Sequence, residues 1–148
     1  IHNKLNKNTK RLKFYKMLSL VEYLNLKNIS NIVLDPYPFG GCNSCLESFY
    51  LNKPVVTLPT KKINGRFTYG FYKKMNIMDT VVYNYDDYVK KVIFYLNNID
   101  ERKQLETKIL QNKHVLFEDK ESVLEWEQTL INLSSLIMGL VIRLKTFN

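Results

Sequence analysis

Apolar residues along the chain follow two spacings that predict two kinds of element. Short continuous or alternating apolar runs predict β-strands at 11–16, 31–34, 54–59 and 80–83. Apolar residues three and four positions apart predict helices near 20–26, 45–51, 66–75, 85–96, 100–111 and from 118 onward. Because strand and helix signals alternate, the sequence predicts an α/β fold with a mainly parallel sheet.

One segment joins the second predicted strand to the helix that follows it. The strand ends at Asp35, Gly40 and Gly41 come next, and Ser44 and Glu47 have the Ser-x-x-Glu spacing of a capping box. A glycine turn before a helix lets the backbone approach a ligand and directs unpaired N–H groups toward it. The ligand bound in this way is most often a phosphate group. Most such turns bind nothing, so the turn by itself favours a purely structural connection.

Size and charge limit the possible functions. A chain of 148 residues with 45% hydrophobic residues can bury the core of one domain. Its net charge of +8 suits an anionic partner, such as a phosphorylated metabolite. The lysines are scattered among acidic residues, and no known nucleic-acid-binding motif is present, so nucleic acid is not an expected partner.

The cysteines allow a structural and a redox interpretation. Cys42 and Cys45 form a C-x-x-C at the predicted start of a helix, where thiolates are stabilised. A zinc site would need a second pair of ligands, which His2 and His114 do not supply. We therefore expect reduced thiols that line a turn. Since the sequence also lacks a secretory-signal pattern, we expect a cytoplasmic protein.

The two ends of the chain differ from its middle. Residues 1–10 form a polar leader, 11–129 carry the α/β pattern, and 130–148 form an apolar helix and tail. The apolar run at 130–142 is shorter than the roughly 20 residues that span a bilayer. We expect it to pack on the domain or on a missing partner, and we do not expect membrane attachment.

Several segments together resemble a known family. The resemblance is carried by residues 34–49 (LDPYPFGGCNSCLESF), 54–59 (PVVTLP), 65–68, 74–79, 87–89, 100–102 and 116–119. Their order and spacing are similar to the C-terminal catalytic lobe of O-linked N-acetylglucosamine transferases, in the SPINDLY-like and bacterial branch. The resemblance covers the chain from Arg11 to Gln128.

The resemblance implies a fold and a set of binding residues. It implies the C-terminal, Rossmann-like lobe of a glycosyltransferase B-type fold, a parallel sheet flanked by helices. The residues implied to bind the nucleotide sugar are Gly40, Gly41, Cys42, Asn43, Ser44, Glu47 and Arg66. The turn would hold the diphosphate, and Glu47 would accept hydrogen bonds from the ribose unless it serves as the capping-box acid of Ser44.

The resemblance also implies a reaction. The expected reaction is inverting transfer of a sugar, N-acetylglucosamine from UDP-N-acetylglucosamine in the first instance, to serine or threonine hydroxyls of a protein, without a metal or other cofactor. The family's catalytic histidine, phosphate-binding lysine and tetratricopeptide repeats precede the matched region, so no catalytic residue is predicted here. The alternative is an inactive glycosyltransferase-like domain that binds a protein partner.

Overall fold

The structure, a computed structural model, describes residues 12–145, with side chains described through Met138. Within that range two strands form a sheet: β1 (Val33–Leu34) pairs in parallel with β2 (Val55–Val56). Thr57 extends this sheet by a parallel bridge to Val81. The described chain is therefore a helix-rich α/β structure with a small parallel sheet, and two strands do not amount to the full Rossmann-like sheet that was predicted.

Seven α-helices are present in the described residues. In chain order they are α1 (Leu20–Ile29), α2 (Asn43–Tyr50), α3 (Phe67–Met75), α4 (Tyr85–Asn97), α5 (Ile99–Asn112), α6 (His114–Phe117) and α7 (Lys120–Lys145). A short 3₁₀ helix, Ile63–Gly65, precedes α3. The predicted helices thus exist, with ends that differ from prediction by a few residues.

Local side-chain contacts explain where several helices begin. Ser19 and Glu22 form a capping box at the start of α1, in which each side chain accepts a hydrogen bond from the other residue's backbone N–H. The Asn84 side chain caps α4 by accepting from the N–H of Asp87 at 2.8 Å. Asp119, rather than Ser122, caps α7, since its carboxylate accepts from the Ser122 N–H at 3.2 Å.

The core lies between the sheet and helices α2, α3, α4 and α5. Its buried side chains include Phe49, Val55, Tyr72, Leu105 and Ile109. The Phe49 and Tyr72 rings meet edge to face, with centroids 4.8 Å apart. The Tyr72 hydroxyl donates to the Val55 carbonyl at 2.9 Å and accepts from the Val55 N–H at 2.8 Å. A helix side chain therefore occupies the place that a third strand would take beside Val55.

Two predicted strands differ from the structure. Residues 12–16 have no regular secondary structure, and Leu12 and Phe14 are exposed; Arg11 and the predicted leader at 1–10 lie outside the described residues. The predicted strand at 80–83 is reduced to the bridge at Val81. Alternating apolar residues are not sufficient for a strand, because a strand also needs a neighbour with which to pair.

Helix α7 runs without a break through the predicted boundary at 129–130. Its large apolar side chains are more than half exposed from Val123 to Met138, including Trp126 at 69% and Leu130 at 60%. The alternative in which this helix packs on the domain is therefore not seen along that stretch. No helix within the described range is long and apolar enough to cross a membrane.

Candidate nucleotide-sugar site

The carboxylate of Asp35 is the centre of the turn between β1 and α2. Asp35 is buried, and its Oδ1 accepts a 2.7 Å hydrogen bond from the Gly41 N–H, while Oδ2 accepts from the Thr57 hydroxyl at 2.7 Å. The Tyr88 hydroxyl on α4 donates to the Asp35 carbonyl at 3.0 Å. Burial raises the pKa of Tyr88 to about 12. Asp35 thus braces the glycine turn.

A second loop holds the turn from the side. The Gly40 N–H donates to the Asn64 carbonyl at 3.0 Å. Gly65 is buried so close to the Pro38 carbonyl that a Cβ at position 65 would stand 2.5 Å from that oxygen. The absence of a side chain at Gly65 therefore lets the two loops come together at the carboxyl ends of β1 and β2, the edge at which ligands bind in open α/β sheets.

The start of α2 differs from the predicted capping box. The helix begins at Asn43 with Cys42 as its N-cap, and no side chain caps it, so Ser44 lies inside the first turn. The N–H groups of Gly40 and Gly41 are already used by Asn64 and Asp35.

The next three N–H groups, those of Cys42, Asn43 and Ser44, have no acceptor among the described residues. Three adjacent free donors at the positive end of a helix dipole suit an anion. Of the five predicted turn amides, two are therefore consumed by the protein, and three are free to bind a ligand.

Glu47 lies one turn into α2 and is paired with a lysine from another helix. The Lys27 Nζ on α1 donates to Glu47 Oε2 at 2.8 Å and also to the Ser44 carbonyl. Glu47 therefore does not act as the capping acid of Ser44. Its Oε1 accepts no hydrogen bond from any described residue, and the Glu47 side chain is 34% exposed.

The two cysteines have different surroundings. The Cys45 thiol is buried, 3.1 Å from the Thr68 hydroxyl and 3.8 Å from Asp35 Oδ1. Burial raises the pKa of Cys45 to about 11, so very little thiolate forms near neutral pH. Cys42 is only partly buried. A buried, protonated Cys45 does not suit a redox pair, which favours the structural interpretation of this C-x-x-C.

Arg66 lies in the neighbouring loop and not in the turn itself. Its guanidinium donates to the Thr60 carbonyl at 2.8 Å and stacks over the Tyr69 ring at 4.7 Å. These contacts brace the loop before α3. The predicted contact of Arg66 with phosphate stays a prediction.

Sequence reasoning did not find Lys27, Thr57 or Thr68 as parts of this region. Lys27 follows Tyr23 by four residues, so a helical spacing places it on the side of α1 that carries Tyr23. Thr57 lies inside an apolar strand, where its hydroxyl needs a partner. Within the part of the chain that the structure describes, no cluster of three or more His, Cys, Asp or Glu residues could hold a metal ion.

Comparison with known proteins gives a consistent picture. No protein-family model matches the chain. Over 92 residues, 62% of its length, the chain is 23% identical to the UDP-glucose:protein N-beta-glucosyltransferase of Actinobacillus pleuropneumoniae serotype 5b (strain L20). The protein of the same name from serotype 7 (strain AP76) matches to the same extent. The matched region spans only 15% of the length of these curated relatives.

A solved structure matches over more of the chain. The structure of a mutant O-GlcNAc transferase from Thermobaculum terrenum superposes with a TM-score of 0.67 and 19% sequence identity. The match covers 78% of this chain and 24% of that one. The fold of the chain is therefore similar to part of an O-GlcNAc transferase, which confirms the resemblance predicted from its residues.

Proposed function

We propose that the chain is the donor-binding part of an inverting glycosyltransferase that acts on proteins, and that the β1–α2 turn binds the diphosphate of a nucleotide sugar. The observation that carries this proposal is the row of three free N–H groups at Cys42, Asn43 and Ser44. A diphosphate can accept from these donors without displacing any hydrogen bond between residues 12 and 145. The buried carboxylate of Asp35 holds the adjacent glycine in place before a ligand arrives, so little reorganisation is needed on binding.

We infer that Glu47 recognises the ribose. Asn43 and Glu47 are four residues apart and so lie on one face of α2, about 6 Å apart along the helix axis. That spacing is similar to the distance between the diphosphate and the ribose hydroxyls of a nucleotide. The unpartnered Oε1 of Glu47 can then accept from one or both of these hydroxyls, while the side chains of Asn43 and Ser44 add hydrogen bonds to the phosphates.

The resemblance of the residues to O-linked N-acetylglucosamine transferases, together with the structural match to one of them, supports a choice of donor and acceptor. We propose UDP-N-acetylglucosamine as the first donor to test, with UDP-glucose and GDP-fucose as alternatives, and a serine or threonine hydroxyl of a protein as acceptor. The groups that activate the acceptor and neutralise the leaving diphosphate would come from an N-terminal lobe, with tetratricopeptide repeats guiding the acceptor. The chain by itself is expected to bind nucleotide and to transfer no sugar.

Calorimetric titration of the full chain with UDP and with GDP tests the proposal. We expect a dissociation constant of about 1 mM or tighter for one of them, since half of a two-lobed site offers only part of the contacts. Absence of binding to both nucleotides at several millimolar would overturn the proposal.

A triple variant, Asn43→Ala, Ser44→Ala and Glu47→Ala, locates the binding. We expect it to bind nucleotide at least tenfold more weakly. Circular dichroism checks its fold, because Glu47→Ala leaves the buried Lys27 ammonium without its carboxylate. If the variant does not fold, Glu47→Gln replaces Glu47→Ala, since its amide oxygen can still accept from Lys27. The matched control replaces residues of similar type at exposed positions away from the turn, namely Asn97, Glu101 and Thr107. Equal affinity in both triple variants would place the nucleotide elsewhere.

The second candidate is an inactive glycosyltransferase-like domain that binds a protein. The exposed apolar side chains of α7 favour it, because a surface of this kind is typical of interaction sites. The triple variant at the turn discriminates between the two functions. Only the donor-binding function predicts that nucleotide affinity is lost while the fold remains intact.

A further inference from the structure

Lys27 is a buried lysine beside the candidate site. The residue is only 8% exposed, which is rare for a lysine unless its charge is paired. Its Nζ donates to Glu47 Oε2 and to the Ser44 carbonyl, and it lies 4.5 Å from the centre of the Tyr23 ring. The ammonium group is therefore held by three groups at once, two of them in the first turn and a half of α2.

This arrangement leaves Glu47 in one orientation. A glutamate on a helix surface samples several rotamers, and ordering it costs on the order of 1 kcal/mol. Lys27 fixes Oε2, so that Oε1 remains as the oxygen available to a ligand. The Lys27 charge also offsets the carboxylate, which would otherwise repel a diphosphate bound one helical turn away.

We propose that Lys27 is a positioning residue for ribose recognition, acting through Glu47. The inference rests on the proposed function, because it supposes that a nucleotide binds at this turn. It adds Lys27, on α1, to a site whose other proposed residues lie on or near α2. It predicts that the preference for a ribose over a dideoxyribose nucleotide is lost when Lys27 no longer holds Glu47.

Titrations of the full chain with UDP and GDP, each compared with its 2′,3′-dideoxy counterpart, test the inference. In the wild-type chain the dideoxy nucleotide is expected to bind about tenfold more weakly, as expected for a lost hydrogen bond to a charged acceptor. The Lys27→Met variant is expected to reduce this ratio to within about twofold. The Lys27→Arg variant, which keeps the charge and the donors, is expected to retain it.

A matched control separates positioning from stability. Lys53 is a second poorly exposed lysine, with 16% of its side chain exposed, and its Nζ is 4.0 Å from Glu106 Oε1 on α5. Lys53→Met removes a longer ion pair just beyond the opposite end of α2 and is expected to leave the ratio at about tenfold. Circular dichroism checks the fold of each variant. If Lys27→Met does not fold, Lys27→Gln takes its place, since Gln can still donate to the Ser44 carbonyl. Because an uncharged amide binds the Glu47 carboxylate more weakly than an ammonium does, the ratio is expected to fall to between about twofold and tenfold.

The outcomes distinguish the two proposals. Absence of binding to UDP and GDP by the wild-type chain would overturn the proposed function itself. Equal binding of the ribose and dideoxy forms by the wild-type chain would overturn ribose recognition by Glu47 and with it the role of Lys27, while the diphosphate site would stand. A ratio that survives Lys27→Met would overturn the role of Lys27 alone. An equal loss of the ratio in Lys53→Met would also overturn it, because the effect would then be one of general stability.

Discussion

The turn at the start of α2 and the helix α7 differ in which side chains they bury and which they expose. At the turn, the buried carboxylate of Asp35 accepts hydrogen bonds both from Thr57, the residue after β2, and from Gly41 in the turn itself. On α7, large apolar side chains such as Trp126 and Leu130 are exposed, and the helix makes few contacts with the rest of the described chain. The first region is built to hold a geometry, and the second presents a surface.

This difference has an energetic consequence. An unpaired buried polar group costs about 1–3 kcal/mol, so each partner in the Asp35 network depends on the others. Substitutions on an exposed helix surface usually change stability by less than about 0.5 kcal/mol. Stability should therefore depend on the turn and hardly at all on the exposed part of α7.

Removal of the Asp35 carboxylate is expected to have the largest effect. Asp35→Ala leaves the Gly41 N–H, the Thr57 hydroxyl and the Cys45 thiol without their acceptor. We expect the free energy of unfolding to fall by about 3 kcal/mol in urea denaturation at 25 °C. Asp35→Asn keeps one carbonyl oxygen and is expected to lose less. A loss below about 1 kcal/mol for Asp35→Ala would contradict the conclusion that these three donors depend on the Asp35 carboxylate.

The next largest loss of stability is expected where a side chain is added between the two loops, at Gly65. In Gly65→Ala the new methyl group would stand 2.5 Å from the Pro38 carbonyl and also contact the Thr60 side chain, so the loops must separate. We expect a loss of about 2 kcal/mol in the same measurement. Gly70→Ala is the matched control, because a Cβ there meets no atom within 4 Å. It lies inside α3 and is expected to stabilise the protein by about 0.5–1 kcal/mol. Equal effects at both positions would contradict the tight contact at Gly65.

The smallest effect is expected on α7. Leu133 is 53% exposed, and Leu133→Ala is expected to change the free energy of unfolding by less than about 0.5 kcal/mol. Leu105 on α5 is 1% exposed, and the same substitution there is expected to cost about 3 kcal/mol. Comparable losses at the two leucines would mean that α7 packs against the domain in solution.

The sequence predicted local features better than pairings between distant segments. The strand that ends at Asp35, the glycine turn and the helix after it were all expected, because each has a signal within a few residues. The Ser44–Glu47 capping box was wrong, because α2 already begins at Asn43 and because Glu47 pairs with Lys27, 20 residues earlier in the chain. Local spacing does not show which distant charge reaches a side chain.

The extent of burial was also only partly predictable. On α4, whose apolar spacing predicted a helix, Val89 is 56% exposed, whereas Tyr95 is buried. A period of 3.6 residues identifies a stripe, but the neighbouring elements decide how wide the covered part of that stripe is. For the candidate site, the sequence supplied the turn and Glu47, and the structure added the lysine and the threonines that hold them.

The phenol of Tyr72 fixes both the position of β2 and the register of β2 along β1. With its hydroxyl bound to both main-chain groups of Val55, β2 cannot slip by one position along β1 unless an aromatic ring leaves the interior. Such a slip would set Val56 or Leu58, which have no hydroxyl, opposite Asp35 in place of Thr57. The Tyr72 ring on α3 therefore helps to keep β2 in the register that brings the Thr57 hydroxyl to the Asp35 carboxylate.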